Sequence, residues 1–141
     1  MKISNAIEIK SRFSSSINLE RDTVEDSLDG YIPTGRALDV IRRIANGISD
    51  PSLGRSISIT GPHGGGKSSL AVFIDSLVSE KNSKEFKSAF SLLKEFDSKL
   101  AAEWSEALKT LSKNQQGFFK AVATANREPV LYSLARALKR S

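Results

Sequence analysis

Apolar side chains recur at steps of three and four over much of this chain, the spacing that gathers them on one face of a helix. The longest such run lies in residues 84–113: Phe86, Phe90, Leu93, Phe96, Leu100, Trp104, Leu108 and Leu111. It predicts one long helix, or a helical hairpin if Asp97-Ser98 breaks it. Glu95 and Lys99 stand as an i,i+4 pair on its polar side. Trp104 belongs to the apolar stripe, so packing is its expected role rather than stacking on a base. A shorter stripe, Ala37, Val40, Ile41, Ile44 and Ala45, predicts a helix capped by Thr34 and ended by Gly47. Val130, Leu131, Leu134, Ala135 and Leu138 predict a last helix, with Asn126 as its cap and Pro129 in its first turn.

Other stretches have a different rhythm. Arg55–Thr60 contains Ser56-Ile57-Ser58-Ile59-Thr60, an alternation of β-branched and polar residues that predicts a strand. Phe118–Thr124 predicts a second one. Between the first strand and a helix expected from Lys67 to about Glu80 lies a run rich in glycine. Residues 1–30 are polar and predict an arm ahead of the folded part at 31–141. They carry Ser14-Ser15-Ser16 and an acidic stretch from Glu20 to Asp29.

The glycine-rich run reads Gly61-Pro62-His63-Gly64-Gly65-Gly66-Lys67-Ser68. It fits G-x-x-x-x-G-K-[ST], the pattern of a phosphate-binding loop, and it sits where such a loop needs to be, after a strand and before a helix. The chemistry explains the residue types. A triphosphate packs several negative charges into a small volume, so its binding takes many donors aimed at one point. Backbone N–H groups converge there only if side chains stay clear, which Gly64, Gly65 and Gly66 allow. The following helix adds the positive end of its dipole. Lys67 adds a full charge toward the β- and γ-phosphates, and Ser68 offers a hydroxyl to Mg²⁺. Ser69 is a further candidate phosphate contact. His63 occupies a variable position, where it can donate to a phosphate or simply be tolerated.

This motif resembles the Walker A loop of P-loop NTPases, and ITGPHGGGKSSL is most similar to the AAA-type and STAND-type branches. The resemblance implies ATP and Mg²⁺ as ligands, Gly61, Pro62, His63, Gly64, Gly65, Gly66, Lys67, Ser68 and Ser69 as the nucleotide-binding set, Lys67 as the catalytic cation and Ser68 as the metal ligand. The chain contains no Asn-Lys-x-Asp, the guanine-selecting run, so ATP is expected over GTP. Thr34-Gly35-Arg36-Ala37-Leu38 resembles the segment ahead of the core in many such proteins, which would put Arg36 near the adenine. The implied fold is α/β: a parallel sheet flanked by helices, with a long helix or helical hairpin between strands.

One part of that pattern is missing. Such enzymes pair the loop with a second, apolar strand ending in Asp or Asp-Glu. Phe73-Ile74-Asp75 has the letters but lies within the helix that follows the loop, and no apolar run after residue 111 ends in an acid. The expected sheet is therefore incomplete, and the chain reads as the N-terminal part of a larger ATP-binding protein; the alternative is a small complete protein that binds nucleotide without hydrolysing it, or borrows its remaining strands from a partner. As a piece of an ATPase it is expected to bind nucleotide weakly or not at all alone, and to hydrolyse none.

Composition narrows the classes further. The 141 residues are 39% hydrophobic and 26% charged, as in globular domains, and contain no cysteine and one histidine. That excludes a disulfide framework, a thiolate zinc site and a cysteine nucleophile. No apolar run approaches the roughly 20 residues of a membrane span, and a cytoplasmic location is expected. The net charge is +5. The basic excess after residue 70 is spread along helix faces among glutamates rather than gathered in a block, which favours a solvated surface over a nucleic-acid footprint. Two functions stay open: an ATPase module that drives conformational change in a larger, DNA-processing or antiviral defence assembly or in a homo-oligomer, and a non-catalytic nucleotide sensor or scaffold. A small-molecule kinase shares the loop but would need an acceptor acid and an arginine-rich lid, neither of which is visible.

Overall fold

The computed structural model describes residue 19 and residues 28–111, 118–124 and 126–140 of the chain. Among them stand five helices, α1 (Gly35–Ser49), α2 (Lys67–Leu77), α3 (Lys84–Phe96), α4 (Ser98–Leu111) and α5 (Val130–Arg140). α1 packs on α4, α3 on α4 and α2 on α3. The core between them is built from Ile41 and Ala45 of α1, Val72, Phe73 and Leu77 of α2, Ala89 and Leu93 of α3, and Leu100, Trp104, Ala107 and Leu108 of α4. Leu28 is buried with them, and Leu19 packs against the same cluster. Residues 1–18 and 20–27 of the expected N-terminal arm lie outside the described residues.

The parallel α/β sheet expected from the sequence is not there. No strand ladder forms among the described residues, and their regular structure is entirely helical. Both expected strands, Arg55–Thr60 and Phe118–Thr124, lie outside any helix or ladder. Alternating β-branched residues favour an unfolded-out backbone, but a ladder needs a second strand alongside with its own donors and acceptors. Neither segment supplies that to the other. Phe118 instead donates its N–H to the Val78 carbonyl at the end of α2, at 3.1 Å. Ile59 is 38% exposed, where a central parallel strand would be covered on both faces.

The helices follow their local signals closely. The Thr34 side chain accepts the Ala37 N–H at 3.3 Å and caps α1. Gly47 does not end that helix. It is buried within it, close to Gly54 and Arg55, and α1 runs on to Ser49 with Asp50 as its C-cap. Ser83 caps α3 through the Phe86 N–H at 3.1 Å. The long stripe divides at Asp97 as a hairpin would. Asp97 ends α3 by donating its N–H to the Leu93 carbonyl and starts α4 by accepting the Leu100 N–H at 2.8 Å on its carboxylate. Glu95 and Lys99 consequently fall on different helices, and no ion pair joins them. The Arg42 guanidinium of α1 takes up the other Asp97 oxygen at 2.7 Å and lies 3.8 Å from Glu103, closing α1 onto the α3–α4 corner.

Trp104 is fully buried, and its indole N–H donates to the Leu77 carbonyl at 3.3 Å, which fastens α4 to the end of α2. α5 begins one residue after Pro129, whose carbonyl accepts the Tyr132 N–H. The proline thus precedes the first turn instead of lying in it, and no bond from the Asn126 side chain caps the helix among the described residues. No helix there is long and apolar enough to cross a membrane.

Candidate functional site

The segment between α1 and α2 is shaped by a few contacts. Past the end of α1, the Asp50 carboxylate accepts both the Ser52 N–H at 2.9 Å and the Ser52 hydroxyl at 2.7 Å. These two donors hold its carboxyl below the usual range. The Arg55 Nε–H then donates to the Gly47 carbonyl at 2.8 Å and pins the chain back on α1. A side chain at Gly47 would crowd the Gly54 carbonyl at 3.3 Å, so the close approach depends on that glycine.

From there the chain runs into the glycine loop. Gly64 and Gly66 both have φ of 75°, in the left-handed region, while Gly65 between them does not. Left-handed residues in such a turn are the building pattern of anion nests, in which neighbouring peptide N–H groups share one concave side. The Gly65 N–H closes a turn on the Pro62 carbonyl at 3.2 Å. A Cβ at Gly65 would meet that same oxygen at 3.1 Å, so the turn admits no larger residue without shifting.

Gly66 is also the N-cap of α2, and it provides no side chain to satisfy the first turn. α1 and α3, by contrast, are capped by Thr34 and Ser83. The N–H groups at the start of α2 therefore point out of the helix without an internal acceptor. Residues 61–66 and Ser68 are exposed. The Lys67 ammonium folds back across the loop, donating to the Gly61 carbonyl at 2.8 Å and the Pro62 carbonyl at 2.7 Å. Three donors on the ammonium leave one N–H beyond these two bonds.

The structure brings together Gly61, Pro62, Gly64, Gly65, Gly66, Lys67, Ser68 and Ser69 as one loop at one helix end. His63 lies at the exposed outer turn of that loop. Arg36 does not join them by any hydrogen bond or ion pair; it is exposed in the first turn of α1. No carboxylate occurs between Asp50 and Asp75, so the loop's own charge is positive. Asp75 is turned to other work. Its carboxylate accepts the Lys120 ammonium at 2.8 Å, and Ser79 completes that contact at 3.0 Å. Neither the Arg55 anchor nor the Lys120 clasp had a signal in the sequence, because each joins residues distant along the chain.

The donor set fits a magnesium–triphosphate in one respect. Ser68 presents an exposed hydroxyl next to Lys67, and among the described residues no group of three or more His, Asp or Glu side chains could itself hold a metal ion. A cation reaching Ser68 would take its other ligands from phosphate oxygens and water. No family model matches the chain, and the searches of curated proteins and of solved structures likewise returned no match.

Proposed function

We propose that this chain binds ATP with Mg²⁺ through residues Gly61–Ser69, in the manner of a P-loop NTPase. The observation that carries the reading is the left-handed pair Gly64 and Gly66 opening onto the uncapped start of α2, with the Lys67 ammonium lying over the same loop. The backbone N–H groups of Gly64 and of Gly66 to Ser69 receive phosphate oxygens, that of Gly65 being held by the Pro62 carbonyl, and the dipole of α2 favours their charge. Lys67 exchanges one of its carbonyl partners for a phosphate oxygen, or adds one through its third N–H. Ser68 Oγ is the metal ligand on this chain, and the bound Mg²⁺ supplies charge neutralisation on the phosphates.

Binding without turnover by this chain alone is the reading that Asp75 favours. It is the nearest carboxylate downstream of the loop in sequence, and its charge is already committed to Lys120. Hydrolysis would draw its water-orienting acid from elsewhere, with Lys67 stabilising the transferred charge. Under that reading the protein is an ATPase component of a larger assembly; without such an acid it is a nucleotide sensor or scaffold.

Titration calorimetry with ATP and Mg²⁺ tests the assignment. Lys67→Ala is expected to weaken binding by at least about tenfold, or about 1.4 kcal/mol, with an unchanged thermal midpoint. Equal affinity in the two proteins would refute it. Turnover by the intact protein, with any partner subunits present, that disappears in Lys67→Ala would decide for the ATPase over the sensor.

A further inference from the structure

α5 leaves an apolar face in solvent. Val130 is 83% exposed, Leu131 74%, Leu134 51% and Leu138 49%, whereas Ala137 is buried. At 100° per residue, these four exposed residues fall within a sector about 100° wide, which begins beside the buried Ala137 and runs from there into solvent. Leu131, Leu134, Ala135 and Leu138 stand at i, i+3, i+4 and i+7, the spacing by which one helix lays its apolar side against another surface.

Residues 126–140 place basic charge beside this face. Arg127 and Lys139 are exposed near its two ends. The only carboxylate in residues 126–140, Glu128, is taken up by Ser133 and Arg136, both at 2.7 Å. A second copy would bring like charges together across the stripe, which costs association. An occupant rimmed with carboxylates would neutralise them. We propose that α5 is a docking face for an acidic amphipathic helix of another protein.

The test uses the full chain and two labelled 21-residue peptides (a probe length of about three heptads), both with leucine at the core positions. One carries glutamate at the flanking positions and its twin carries lysine. Fluorescence anisotropy at low salt is expected to show about tenfold tighter binding of the acidic peptide, with the preference shrinking at high salt. Leu134→Ser should weaken both peptides, with unchanged helical circular dichroism, because the residue is exposed. Lys139→Glu should weaken the acidic peptide and strengthen its twin. Equal affinity for the two peptides would overturn the proposal. So would a concentration-dependent dimer of the chain that Leu134→Ser dissolves, or stronger binding to anionic phospholipid vesicles than to the acidic peptide.

Discussion

Gly64 and Lys67 show how much of the loop rests on single residues. A left-handed backbone costs a residue with a Cβ roughly 1 kcal/mol, and Gly64 has open space around its missing Cβ. Gly64→Ala should therefore lower stability by about 1 kcal/mol through backbone strain alone, and it should weaken nucleotide binding as the N–H groups splay. Chemical denaturation and calorimetry separate the two effects. Ser76 is the opposite kind of residue. Its hydroxyl is buried in α2 without a hydrogen-bond partner among the described residues. An unsatisfied buried polar group costs about 1–3 kcal/mol, and alanine is also the better helix former. Ser76→Ala is expected to raise stability by about 1 kcal/mol, read as a higher urea midpoint at unchanged slope.

At the scale of elements, caps and breaks account for the helices. Asp97 divides one amphipathic stripe into α3 and α4 because its carboxylate satisfies the Leu100 N–H while its own N–H satisfies the Leu93 carbonyl. The Arg42 contact then fixes the corner, although such partly exposed pairs contribute at most about 1 kcal/mol each. α5 depends on a second carboxylate. The Ser133 hydroxyl and then the Arg136 guanidinium hold Glu128 below its ordinary value. The sign follows from that direction: a lowered carboxyl stabilises the folded form above the ordinary glutamate range, and the contribution fades as pH falls through the lowered value. The first turn of α5 should thus loosen on acidification, seen as faster amide exchange at residues 130–133 after correction for intrinsic rates. Glu128→Gln should show that looser turn already at neutral pH and lose the pH dependence.

For the molecule as a whole, the decisive contact is Trp104. It lies in the core that α4 shares with α1, α2 and α3 and carries the indole bond from α4 to the Leu77 carbonyl. Truncating a buried tryptophan to alanine costs about 3–5 kcal/mol, a large share of the 5–15 kcal/mol by which a domain is typically stable. Trp104→Ala should accordingly shift the urea midpoint far more than any single change in the loop. Trp104→Phe should recover much of the packing but not the hydrogen bond.

The helices, the hairpin break at Asp97 and the packing role of Trp104 were legible along the chain, because each rests on apolar spacing or a cap within about four positions. The cap at Thr34 was legible for the same reason. The sheet was not. Ile57 and Ile59 announce a strand by their alternation, yet pairing requires donors and acceptors from a distant segment, and among the described residues none comes alongside. The same limit hid the Arg55 anchor on Gly47 and the Lys120 clasp on Asp75, which join positions 8 and 45 residues apart. Gly47 was misread as a helix stop because its glycine serves a neighbour's approach rather than a turn. Local propensity and spacing set which segments are helical and which residues can form the loop; long-range packing alone decided that the expected strands stay unpaired and that the Asp75 carboxylate is taken up by Lys120.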